Sequence, residues 1–364
     1  MRTLVLLLLL ALAAPAWAVS TWYVRPAADC ANNGNGTAYG CAASNGAAGA
    51  WRTMANVTWG VGNVDIGDTL KTCSSEASPF TAADYDGGGL AMLHSQQPGV
   101  RVTGDCTDEG GNAIAYHDGG GTRDHGFYCA TNAECLGQTW DHQYFKNFDV
   151  RGWYVRNDLS TTAAVNFTGD QLICDDILAA SGAPQCGSGF GANVTLSNIT
   201  SNRTTDDSFH WEGDNQNITN LVGVYPGYGQ TGNFGDCYQC ASNCDKVRLV
   251  GWYCDHRNLG SKQCVIMQAN GGGGDADTVI ADGVCLYPET GNATNLNKPI
   301  YSGVPGGRVE RNYVLGGYFG VFVDGADTKV VGNVIVGAEY RGIDMASTVT
   351  TGTGTVAHNS VSDS

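Results

Sequence analysis

The hydrophobic pattern along this chain is short and recurrent. An apolar residue, two free positions, then Asn, Asp or an apolar residue, one free position, and usually another apolar residue make up the unit. It begins at Phe145 (FKNFDV), Ile173 (ICDDIL), Thr195 (TLSNIT, a weak copy), Ile218 (ITNLVG) and Val247 (VRLVGW). It continues at Val279 (VIADGV), Val309 (VERNYV), Val330 (VVGNVI) and Val356 (VAHNSV), with successive starts 21 to 32 residues apart. No window of useful length carries apolar residues at the i, i+3, i+4, i+7 spacing of an amphipathic helix, whereas β-branched runs bounded by Gly, Asn and Asp recur. Strands that return about every 20 to 30 residues to lie beside their predecessor build a solenoid, each coil adding one rung. The pattern therefore predicts an all-β parallel β-helix. Asn198, Asn312, Asn333 and Asn359 recur at the turn position of four copies, where stacked turn asparagines hydrogen-bond along the axis.

The segment TWYVRPAADCANNGNGTAYG, followed by WRTMANV and VDIGDTL, resembles the head of secreted right-handed parallel β-helix proteins, the superfamily that includes pectate lyases and polygalacturonases. The resemblance implies a right-handed β-helix over 67–364 behind an N-terminal capping and loop region at 19–66. Residues 1–18, with one arginine, a leucine run and Ala16-Trp17-Ala18, read as a secretory signal peptide. No later segment approaches the roughly 20 apolar residues of a membrane span.

Composition sharpens this picture. Fifty-two glycines and 15% charged residues suit a turn-rich β protein. Fourteen cysteines suit an oxidising compartment, and proximity suggests Cys30 with Cys41, Cys129 with Cys135, and Cys174 with Cys186. The cluster Cys237, Cys240, Cys244 and Cys254 is open to disulfides or to zinc, with export favouring disulfides. A net charge of −16 excludes unspecific nucleic-acid binding, which needs Lys and Arg in number.

The densest candidate chemistry lies in TTDDSFHWEGD. Strand alternation puts Asp207, Phe209 and Trp211 on one face and Ser208, His210 and Glu212 on the other. With the aromatic pair inside the coil, His210 and Glu212 face outward. Counting coils extends the outward column to His210, Gln239, Gln268, Tyr301 and Phe322. Rungs about 4.8 Å apart nearly match the sugar repeat of an extended polysaccharide, so the glutamines would bind hydroxyls while Tyr301 and Phe322 stack on sugar rings.

Two reaction classes are then open. Asp207 with Asp236, or Glu212 with either, would supply the two carboxyls of glycoside hydrolysis. TTDDSF is similar to the Asp-Asp dipeptide of polygalacturonase-type hydrolases, although their Gly-His-Gly and Arg-x-Lys elements are missing here. β-Elimination needs cations and a base, and CDKVRLVGWYCDHRNLGSK offers Lys246, Arg248, His256, Arg257 and Lys262. Calcium is a further candidate cofactor, from Asp206, Asp207, Asp214 and Asp236 or from Asp275 and Asp277. The reading is an exported enzyme acting on an extracellular polysaccharide. Its alternative is a non-catalytic adhesin, stalk or surface-layer solenoid. The chain stops inside the repeat that begins at Val356, which predicts that a further C-terminal segment or a partner chain covers the last coil.

Overall fold

Short β-branched runs with alternating inward and outward residues pair in parallel throughout the computed structural model. It describes residues 19–85, 91–156, 158, 161–178, 183–228, 235–257, 263–268, 277–287, 298–346 and 354–362. Two sheets, of 19 and 10 strands, form a parallel β-helix. The ten-stranded sheet, here the front wall, runs in order through Ala91–His94, His125–Cys129, Arg151–Val155, Gln185–Phe190 and Phe209–Glu212. It continues through Tyr238–Cys240, Val265–Gln268, Ile300–Gly303, Phe319–Val323 and Arg341–Met345.

The 19-stranded sheet supplies two further walls joined by a sharp bend. A side-wall strand such as Arg248–Val250 is followed across the bend by a rear-wall strand such as Tyr253–Asp255. The bend residue is left-handed in coil after coil, as at His142, Gln171, Asn198, Asn220, Asp282, Arg311 and His358. One such residue turns the chain between two strands without interrupting either ladder.

The strand after the bend begins with the asparagine ladder. Asn333 Oδ1 accepts from the Asn312 backbone N–H at 2.9 Å and from its side-chain amide at 3.0 Å, while Asn333 Nδ2 donates to Val309 O at 2.9 Å and to Asn359 Oδ1 at 3.0 Å. Asn198 does not belong to this ladder. It is the left-handed bend residue itself, exposed, with its amide on Asp170, and it stacks along the axis in a separate bend column, its Oδ1 accepting from Asn220 Nδ2 at 3.1 Å. The repeat copies at Ile218, Val309, Val330 and Val356 are in phase with the rungs. Those at Thr195 and Val279 are one residue early and that at Val247 two, because Leu196 and Leu249 align with Ile218, and Ile280 aligns with Val309.

The first rung comes from within the region expected to be a cap: Thr21–Val24 pairs in parallel with Thr69–Thr72. All fourteen cysteines form disulfides, including the three expected pairs, and Cys237–Cys254 and Cys240–Cys244 remove the zinc alternative. Among the described residues no helix is long and apolar enough to cross a membrane. At the other end Val356 and Val361 take the inward positions of Val330 and Ile335, yet are 50% and 51% exposed where those are fully buried.

Candidate functional site

The residues around His210 are placed by a packing exchange inside the coil. Gln185–Phe190 presents Gly187 and Gly189 inward, and a Cβ there would lie 2.0 Å and 2.4 Å from the indoles of Trp153 and Trp211. The tryptophans of the coils before and after fill the space these glycines leave, and removing either indole should cost about 3–5 kcal/mol. With Phe209 and Trp211 locked inside, alternation sends His210 and Glu212 outward as the sequence pattern required.

His210 Nε2 lies 3.1 Å from Glu212 Oε1, and its Nδ1 lies 3.4 Å from Gln185 Nε2 and 3.9 Å from Asp207 Oδ2. The imidazole keeps 25% of its surface exposed. Burial pulls its pKa down, but the Glu212 hydrogen bond and the charges of Asp207, Glu212 and Asp206 outweigh it, so the net shift is upward. The hydrogen bond from His210, opposed by burial and helped by Ser242 at 2.7 Å, holds Glu212 below the usual carboxylate range. Asp207 moves the other way: burial, then Asp236 and Asp206, push its carboxyl well above its ordinary value.

Asp207 and Asp236 form a buried ladder of their own. Each is 3% exposed. Asp207 Oδ1 accepts the Asp236 N–H at 2.9 Å, and Asp236 Oδ1 accepts the Gln263 N–H at 3.0 Å. The two carboxyls thus sit on successive rungs beneath the surface, and His210 is the group through which Asp207 faces the outside.

The outward column is longer than counting suggested and differs at one place. It runs His94, Tyr128, Tyr154, Ser188, His210, Gln239, Ile266, Tyr301, Phe322 and Asp344. Ile266 stands where Gln268 was expected, because the coil from Gln239 is two residues shorter than the one before it. Gln268 keeps its outward face, since a shift of two preserves alternation, but it aligns with Gly303 in the next column. Tyr301 and Phe322 do stack, with centroids 5.6 Å apart. Lys298 Nζ lies 3.7 Å from the Phe322 centroid, so a ring face expected to receive sugar is covered by an ammonium. Tyr154 carries the Arg151 guanidinium at 4.4 Å in the same way. Arg151, Gln185, Ser188, Ser242 and Lys298 escaped the sequence reading because they come from neighbouring coils or turns whose register no local pattern reveals. The alternation in QCGSGF was the one available signal, for Ser188.

The expected basic cluster does not converge. His256 is fully buried, Nε2 on the Gln263 carbonyl at 3.0 Å, and burial drives its pKa down to about 4. It is the next inward residue after Cys254, so it packs beside the Cys237–Cys254 disulfide and reaches no substrate. Arg257 is committed to Asp255 through two hydrogen bonds of 2.7 and 3.1 Å. Arg248 faces out of the side wall, aligned with Asn217 and Val279. Lys246 is an exposed left-handed turn residue. Lys262 lies outside the described residues, as does Asp275.

Of the acids suggested for calcium, Asp207 and Asp236 are neighbours on successive rungs with Asp206 beside them, but among the described residues no three of them come within ligand distance. Asp214 accepts the Asp245 N–H at 3.3 Å in the turn after the His210 strand. Among the described residues the one His/Cys/Asp/Glu trio within ligand distance is Cys237, Cys254 and His256, whose sulfurs are bonded to each other.

No family model, curated protein or solved structure matches this chain. The reading of the front wall therefore rests on its geometry.

Proposed function

We propose that the protein is an exported β-helix that acts on an extracellular polysaccharide, bound along the front wall and hydrolysed at the His210 rung. The observation that carries this is the cluster itself. A quarter-exposed imidazole lies between a buried carboxyl whose pKa is pushed up, Asp207, and a carboxylate whose pKa is held low by its hydrogen bonds, Glu212. Neighbouring groups whose environments drive their pKa values apart mark an acid and a base. As imidazolium, His210 would give its proton to the glycosidic oxygen as the C–O bond breaks. Glu212 would take a proton from the water that attacks the anomeric carbon and return it to His210 across their hydrogen bond. β-Elimination is the weaker reading because Arg248, His256 and Arg257 point to three different places.

A non-catalytic solenoid is the second reading. It is favoured by one observation: Asp207 and Asp236 satisfy the backbone of the following rung, a structural duty sufficient to explain them.

The test is to incubate the secreted protein with pectate, alginate, chondroitin and neutral glycans, with and without calcium, following reducing ends and unsaturated-product absorbance. Hydrolysis predicts reducing ends without the absorbance, and a loss of about 10²–10⁴-fold in folded His210→Ala. Unsaturated products would replace hydrolysis by elimination. Silence on every substrate leaves the non-catalytic solenoid.

A further inference from the structure

The rear wall carries an outward column that a soluble solenoid does not need. It starts at Tyr116 and Tyr144, whose rings lie 5.1 Å apart, and passes through Ile173, Thr200 and Val222. It goes on through Tyr253, Val284, Tyr313 and Val334, one residue per rung, and none of these side chains is charged. Tyr313 and Val334 are 39% and 40% exposed. The neighbouring outward column turns apolar over the same later rungs, at Leu286, Leu315 and Val336. Outward strand positions normally alternate to polar residues. Here the alternation fails on one wall, coil after coil, in a chain of net charge −16.

We propose that this wall is a second carbohydrate-binding surface, which holds a neutral polysaccharide chain lying along the solenoid axis. The polymer class rests on the glycan reading above; the site, its wall and its residues do not. Three features select this occupant. The strip is long and narrow, about 38 Å at 4.8 Å per rung, one outward residue wide over most of its length and two columns wide, about 7 Å apart, only at the later rungs. That is well under the roughly 800 Å² that one partner of a stable protein complex buries, so a second copy, equally acidic, is poorly served. A polymer with a repeat near 5 Å meets one outward residue per unit. The tyrosines pair an apolar ring with acceptors at its rim, as sugars pair an apolar ring face with hydroxyls. Tyr144 Oη donates to Asp175 at 3.0 Å and Tyr253 Oη to Asp255 at 3.3 Å. At the Tyr116 end the column opens into a cavity of about 220 Å³, where Glu76, Asp118 and Lys146 surround the two rings. That cavity is large enough for one terminal sugar.

The experiment measures retention of the full chain on microcrystalline cellulose, chitin, and insoluble mannan and xylan. Wild type, Tyr253→Ser, Tyr313→Ser and Arg248→Ala, a control on the side wall, are compared, with near-UV circular dichroism to confirm folding. Retention on at least one solid, weakened about tenfold by each tyrosine substitution and kept by Arg248→Ala, is the expected result. Tyr313, the more exposed of the two, carries the test if Tyr253→Ser does not fold. Equal retention of wild type and Tyr313→Ser, or no retention on any solid, overturns the inference. Neither result touches the front wall, whose fate is read separately from turnover of soluble oligosaccharides. A wild-type dimer in sedimentation that Tyr313→Ser dissociates would also overturn it, making the wall a contact between copies.

Discussion

Lowering the pH from 7 to 5 should cost this protein about 2 kcal/mol through His256 alone. The ring is fully buried beside the Cys237–Cys254 disulfide and Tyr287, and burial takes its pKa from 6.5 to about 4. A depressed folded pKa means that the unfolded chain binds the proton first. The stability it provides is complete above pH 6.5 and is lost as pH falls towards 4. At 1.36 kcal/mol per unit the full loss is about 3.4 kcal/mol, of which about 2 is gone by pH 5. His117, pushed to about 4, and His125, pushed to about 3, act in the same direction. His210 and Asp207, both raised, act against it: their stability is present at low pH and fades as pH rises through their folded values. Wild type alone therefore cannot isolate His256. His256→Gln can, because an amide still donates to the Gln263 carbonyl but does not titrate. Urea unfolding at pH 7, 6 and 5, with disulfides intact, should show the variant less stable at pH 7 yet losing about 2 kcal/mol less on the way to pH 5. Parallel losses in the two proteins would refute a buried neutral His256.

Three further outcomes are expected. Since Glu212 raises the His210 pKa, Glu212→Gln should lower the titration midpoint of the His210 ring followed by NMR; an unmoved midpoint would remove Glu212 as the partner of His210. Asn333→Ala leaves the Asn312 N–H and the Val309 carbonyl without their bonds and should cost about 4 kcal/mol in urea unfolding, while a loss under 1 kcal/mol would mean that water replaces the ladder. Amides at Val356 and Val361 should exchange much faster than those at Val330 and Ile335, which sit one coil inward at the same positions; equal protection would show that the last coil needs no cover.

Within a strand, side-chain direction was legible from the residues. DSFHWE could be sorted because Phe209 and Trp211 have nowhere to go but inside, and period two then fixes His210 and Glu212. The same alternation kept Gln268 outward despite the wrong column. Cys30–Cys41, Cys129–Cys135 and Cys174–Cys186 were legible because short separations leave few partners. The ladder of Asn312, Asn333 and Asn359 was legible because the coils that carry it are short.

Register between coils was not legible. Parallel backbone pairing is indifferent to side-chain identity, and connecting loops change length from coil to coil. The structure alone decided that Ile266 follows Gln239 and that Asn198 occupies the bend. It brought Gln185 and Ser188, from the preceding coil, beside His210, and Lys298 over Phe322. Burial of His256 was likewise a tertiary decision: a histidine between two charged residues reads as surface, but here it is the next inward position after a disulfide-bonded cysteine. Local alternation set which way each side chain points, and only packing across the coils set what it meets.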